Sequence, residues 1–162
     1  MKEQERRTEL KVDLSKGEFV RMHILAEAYG TKKLAPVLSR GSELIEWLHD
    51  SVAARQSFSR IAEETGMGNP FFLNTEMVDI DAHEEKENMA IRLPLYTTKE
   101  DLIRLVKLKE KFQIEDMEDL LDLSMTCLEI LLVAHRTGVS TDMQIQGKSF
   151  DMYDRVRRSF QR

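Results

Sequence analysis

Hydrophobic and polar positions along this chain first alternate and then fall into a helical period, and the succession occurs twice. From Thr8 to Ser15 the residues TELKVDLS place Leu10, Val12 and Leu14 on one side and Glu9, Lys11 and Asp13 on the other. A period of two predicts a short, half-buried strand. Ser15 follows as a helix N-cap, and Glu18 three positions on completes a capping box. Phe19, Met22, Ala26 and Tyr29 then recur at helical spacing up to Gly30, which is placed to stop the helix. A second helix runs to about Ala54. It starts either with Thr31 as N-cap or nearer Lys33, because Pro36 would fall fifth in a helix capped by Thr31 and has no N–H to give.

The second succession opens at Ala90-Ile91-Arg92-Leu93-Pro94-Leu95, with Ile91, Leu93 and Leu95 facing inward and Ala90, Arg92 and Pro94 outward. Pro94 donates no backbone hydrogen bond and is expected to limit how far pairing continues. Thr98 caps the next helix, with Asp101 in its first turn. Two extra residues separate strand and helix in this copy. Leu102, Leu105, Val106, Leu108 and Phe112 mark its first helix, and residues 115–136 its second. The second helices match best: Leu34, Val37, Leu38, Gly41, Leu44, Ile45 and Leu48 correspond to Met117, Leu120, Leu121, Ser124, Cys127, Leu128 and Leu131, each 83 positions later. Both put a small residue at the midpoint.

Between the copies, Arg60 to Thr65 adds a turn or two of helix before Gly66, Gly68 and Pro70 break it. The apolar run Pro70-Phe71-Phe72-Leu73 is expected to pack on the core, and the acidic stretch from Asp79 to Glu87 to be solvated. After Gly138 the tail reads as one short helix, with Phe150, Tyr153, Val156 and Phe160 on one side and Arg155, Arg158 and Arg162 on another. The expected fold is therefore mainly α. Strand-helix-helix units at 1–54 and 89–138 are joined by a connecting segment, 55–88, and followed by a tail helix in 139–162. The short strands pair into a two-stranded antiparallel ribbon, which makes the chain an intramolecular pseudo-dimer.

Composition fits this picture. With 41% hydrophobic and 33% charged residues the chain has enough apolar surface to fold. Three prolines and seven glycines favour long helices with few turns. The charged first twenty residues hold no apolar stretch that would serve as a secretory leader, and no apolar run nears the roughly 18 residues of a membrane span. The single cysteine, Cys127, sits in a helix stripe and is expected to be a small buried hydrophobe in a reducing, cytoplasmic setting. The net charge of −5 divides unevenly: both ends are mildly basic and the middle is acidic. His23, His49 and His135 are scattered, Asp79, Asp81, His83 and Glu84 lack helical ligand spacing, and no phosphate loop, nucleophile elbow or zinc motif occurs. The expectation is a protein that is not an enzyme and needs no cofactor.

The LKVDLS strand, the helix ending LAEAYG, Thr31 at the following break and the leucine spacing up to Leu48 together resemble the ribbon-helix-helix (MetJ/Arc-type) DNA-binding proteins, here in tandem. The resemblance covers about 40 residues per copy. It implies a ribbon that enters the major groove of double-stranded DNA, and a second helix whose N-terminus meets a phosphate. On this chain it assigns Arg6, Arg7, Lys11, Asp13 and Arg92 to the ribbon and the arm before it, with Lys11 and Arg92 as long cationic readers. It assigns Thr31, Lys32 and Lys33 to the phosphate anchor. The matching place in the second copy, Gln113-Ile114-Glu115-Asp116, is acidic and repels phosphate, so the first copy is expected to do most of the anchoring. The implied function is a transcriptional regulator or a mobile-element accessory factor. The competing expectation is a helical interaction or dimerisation module without DNA binding, partnered by another protein or by a second copy of itself.

Overall fold

A computed structural model of the chain describes residues 7–68 and 91–161. Arg6, the run 70–73, the acidic stretch 79–87, Ala90 and Arg162 lie outside the described residues. The element order is β1 (Arg7–Leu14), α1 (Lys16–Ala28), α2 (Ala35–Asp50), α3 (Val52–Thr65), β2 (Ile91–Thr98), α4 (Lys99–Lys111), α5 (Met117–Thr137), β3 (Asp142–Ile145), β4 (Lys148–Asp151) and α6 (Met152–Ser159). The fold is mainly helical, with β1 and β2 forming a two-stranded antiparallel sheet.

β1 and β2 each run straight into a capped helix. Ser15 accepts from the Glu18 N–H and Glu18 reciprocates to the Ser15 N–H, the expected capping box. Thr98 accepts from the Asp101 N–H. Because β2 extends through Tyr96 and Thr97 to this cap, it leads directly into its helix, as β1 does through Ser15. The two extra residues expected there are simply strand. Pro94 does not stop the pairing either. The Asp13 N–H points away from β2 and donates to Glu118 at 2.9 Å, so Asp13 and Arg92 are not a mutually bonded pair. Bonded and non-bonded pairs alternate along an antiparallel ladder, which puts Lys11 and Pro94 in the same class as Asp13 and Arg92. The missing N–H of Pro94 therefore faces outward and costs no ladder bond.

The first helices end alike. At α1, Tyr29 donates to Leu25 O, Gly30 to Glu27 O and Thr31 to Ala26 O; at α4, Phe112 donates to Leu108 O, Gln113 to Glu110 O and Ile114 to Lys109 O. Gly30 adopts φ +84° and Gln113 φ +57°, so α4 is followed by a left-handed glutamine where α1 is followed by a left-handed glycine. Val106, expected in the α4 stripe, is exposed, whereas Leu105 and Leu108 are buried.

The helix after β1 and α1 differs from expectation at both ends. α2 begins at Ala35 with Leu34 as its N-cap and Pro36 in its first turn, where a missing N–H is harmless. Thr31, Lys32 and Lys33 therefore precede the helix. At the other end α2 stops at Asp50, not Ala54. Ser51 leaves helical geometry (φ −115°, ψ 114°) and caps a new helix through the Ala54 N–H. That helix, α3, is 14 residues long. It packs on α5 and buries Ala54, Phe58, Ile61 and Ala62, so the core continues through residue 62 where only a turn or two of helix was expected.

α2 and α5 form the main helix pair. Leu38, Ile45 and Leu48 of α2 and Leu120, Leu121, Leu128 and Leu131 of α5 are all buried in the same core. At the crossing a Cβ on Gly41 would lie 2.5 Å from the Ser124 Cβ, so close approach requires glycine there. The tail is not one helix. β3 and β4 form a hairpin around Gln146 (φ +52°) and Gly147 (φ +78°), and Asp151 caps α6 through the Asp154 N–H. Tyr153, Val156 and Phe160 are buried as expected, with Phe160 stacked on Tyr29 at 4.8 Å. Arg155 is drawn over the Trp47 ring at 4.1 Å. Cys127 is fully buried, and burial pushes its thiol up.

Candidate nucleic-acid interface

The helices leave the outer face of the β1–β2 sheet open. Its residues follow from the pleat: Arg7, Glu9, Lys11 and Asp13 from β1, and Arg92, Pro94, Tyr96 and Thr98 from β2. The register pairs Arg7 with Thr98, Glu9 with Tyr96, Lys11 with Pro94 and Asp13 with Arg92. The opposite face carries Leu10, Val12, Leu14, Leu93 and Leu95 onto the core. Hydrophobic alternation thus fixes which side chains point out, because a slip by one residue would expose the leucines.

Four of the expected site residues, Arg7, Lys11, Asp13 and Arg92, share this face. Lys11 is exposed opposite a proline that offers it no competing charge. Arg92 is 71% exposed and lies 3.2 Å from the Asp13 carboxylate. A guanidinium held by one carboxylate keeps further N–H donors free. Thr31, Lys32 and Lys33 form a separate group in the link before α2. The Thr31 hydroxyl accepts from the Lys33 N–H at 3.2 Å, so it caps the link rather than the helix. Lys32 and Lys33 are exposed, and neither makes an ion pair among the described residues. α2 has no acidic residue in its first turn and no side-chain cap, which leaves the positive end of its dipole uncompensated.

The start of α5 is built the other way. Glu118 and Asp119 occupy its first turn, and the Glu118 carboxylate takes the outward N–H of Asp13. An anion from within the chain already fills that position beside the strand. Glu118 and Tyr96 were both missed at the sequence level. Tyr96 had a signal, since the alternation continues past Pro94 to Thr97. Glu118 had none, because its partner lies 105 positions away.

Two arginines tie first helices to second helices at the interface's back. Arg21 of α1 reaches Asp122 at 2.7 Å and Glu129 at 2.8 Å on α5. Arg104 of α4 donates to Ser39 O at 2.9 Å and lies 3.6 Å from Glu43 and 3.9 Å from Glu46 on α2. Desolvation works against the Arg21 charge, but hydrogen bonds and attraction from Glu129 and then Asp122 outweigh it and hold the guanidinium protonated well above its ordinary value. Among the described residues no group of three or more metal-ligating side chains occurs, and no helix is long and apolar enough to cross a membrane.

The chain matches no protein-family model, no curated protein and no solved structure.

Proposed function

We propose that this chain is a double-stranded-DNA-binding protein of the ribbon-helix-helix kind, with two strand-helix-helix units forming a pseudo-dimer within one polypeptide. It acts as a transcriptional regulator or mobile-element accessory factor, and the β1–β2 ribbon enters the major groove. The observation that carries this reading is the self-matching register. Lys11 pairs with Pro94, and Gly41 meets Ser124; in each case the partners are corresponding residues of the two copies. Contacts between corresponding residues are what a two-fold axis demands. Further support comes from the caps Ser15 and Thr98, the helix ends at Tyr29 and Phe112, and the cross-braces Arg21 and Arg104, all related by the same offset. The apolar alternation that buries Val12, Leu14 and Leu95 leaves a ribbon of groove width carrying Lys11 and Arg92.

The test is binding of the full chain to a pool of random duplex DNA at low and moderate salt, beside a Lys11→Ala/Arg92→Ala variant. Sequence-selective binding that collapses in the variant is the expected result. Salt-sensitive binding without selectivity reduces the function to phosphate contact. No binding at low salt sinks the DNA reading. It would favour a protein-interaction module, a reading supported by the carboxylates of Glu9, Asp13 and Glu118 around the same ribbon.

A further inference from the structure

The two ends of the ribbon carry opposite chemistry. Under the offset that relates Lys11 to Pro94, Glu9 corresponds to Arg92 and Asp13 to Tyr96. One end of the outer face is therefore the pair Glu9–Tyr96, flanked by Arg7 and Thr98, and the other is the ion pair Asp13–Arg92. The flanks diverge in the same sense. The Asp13–Arg92 end lies against the start of α5, where Glu118 binds the Asp13 N–H and Glu115 and Asp116 are exposed. The positions corresponding to Glu115 and Asp116 are Lys32 and Lys33, ahead of α2, and α2 packs on β2.

Resting on the DNA reading above, we propose that the ribbon reads a non-palindromic duplex site in one fixed orientation, anchored to phosphate at its Glu9–Tyr96 end. The reasoning is chemical. A palindrome rewards a reader that offers the same donors and acceptors to both half-sites. Here one half-site meets an acceptor, Glu9, and a phenol, Tyr96; the other meets a guanidinium, Arg92, steadied by Asp13. Arg92 suits the acceptors of a guanine, whereas Glu9 suits the amino group of a cytosine. Phosphate is attracted by Lys32 and Lys33 and repelled by Glu115, Asp116 and Glu118, so reversing the protein on its site would exchange attraction for repulsion at both ends.

Selection of bound duplexes from a random pool, followed by affinity and salt titration on the recovered sequence, tests this. The expected motif lacks two-fold symmetry. Lys32→Ala/Lys33→Ala is expected to weaken binding about tenfold and lower the salt slope by about two, and Glu115→Ala/Asp116→Ala to leave affinity unchanged or raise it. A palindromic motif, or equal losses from both double variants, overturns the proposal while leaving DNA binding intact. Binding of the pool without enrichment of any sequence overturns the proposal alone, and absence of binding at low salt overturns the DNA reading and the proposal with it.

Discussion

Gly41 concentrates a whole-helix contact into one missing methyl group. Alanine has the better helix propensity by about 1 kcal/mol. Its Cβ would nevertheless lie 2.5 Å from the Ser124 Cβ and 3.1 Å from the Ser124 Cα, neither of which can rotate aside. Overpacking should win, so Gly41→Ala is expected to lose about 1–3 kcal/mol in urea unfolding. A gain in stability would mean that α2 and α5 cross elsewhere. The braces allow a graded comparison. Arg21→Ala leaves Asp122, 5% exposed, without its cation, and is expected to cost about 1–3 kcal/mol, discounted because Arg21 is itself a third exposed. Arg104→Ala, whose ion pairs are longer, should cost less. Two buried acids set the alkaline limit. Burial raises the Tyr29 phenol, whose O–H donates to Leu128 O at 2.7 Å, and burial raises the Cys127 thiol. Both ionise more easily in the unfolded chain, near 10.0 and 9.0. Their stabilising contribution is complete below those values and is lost as pH climbs toward the raised folded ones. Denaturation midpoints should therefore fall from about pH 9 upward, and fall less steeply in Tyr29→Phe/Cys127→Ala.

At the scale of elements, local chemistry was readable wherever it was self-contained. β1, its alternation, the Ser15–Glu18 capping box and the Thr98 cap all depend on residues within a few positions of one another, and each appears as expected. The errors fall where a boundary depends on a choice between neighbours. Ser51 reads equally well as helix interior or as cap; packing of Phe58 and Ile61 on α5 selects the cap. The hairpin in the tail escaped because Gln146-Gly147 is a weaker turn signal than Asn-Gly, and Phe150 fits a strand or a helix stripe alike. Since α3 is part of the core, Phe58→Ala is expected to cost about 3–5 kcal/mol, comparable to a truncation within α5. A loss below about 1 kcal/mol in calorimetry or urea unfolding would return residues 52–65 to the role of a connector.

For the molecule as a whole, one core cluster takes in residues from α1, α2, α3, α4, α5 and α6 together with both strands of the ribbon. A continuous core favours a single cooperative transition. Trp47 makes this measurable, because the only tryptophan lies beneath Arg155 and beside Phe150 where the tail docks on α2. Urea transitions followed by tryptophan fluorescence and by helical circular dichroism are expected to coincide. An earlier fluorescence transition would show the tail detaching first.

Sequence by itself determined the two apolar stripes, the strands that precede them and the small residues at their midpoints, because period and size are properties of the chain that burial must respect. It also placed Lys11 and Arg92 on the polar side of their strands. Only the tertiary structure decided that Lys11 lies opposite Pro94, that Gly41 meets Ser124, and that Glu118 takes the outward N–H of Asp13. Those partners are separated by scores of residues, so pairing and close approach, rather than local propensity, select them. The Glu118 contact likewise brings the acidic start of α5 to the Asp13–Arg92 end of the ribbon.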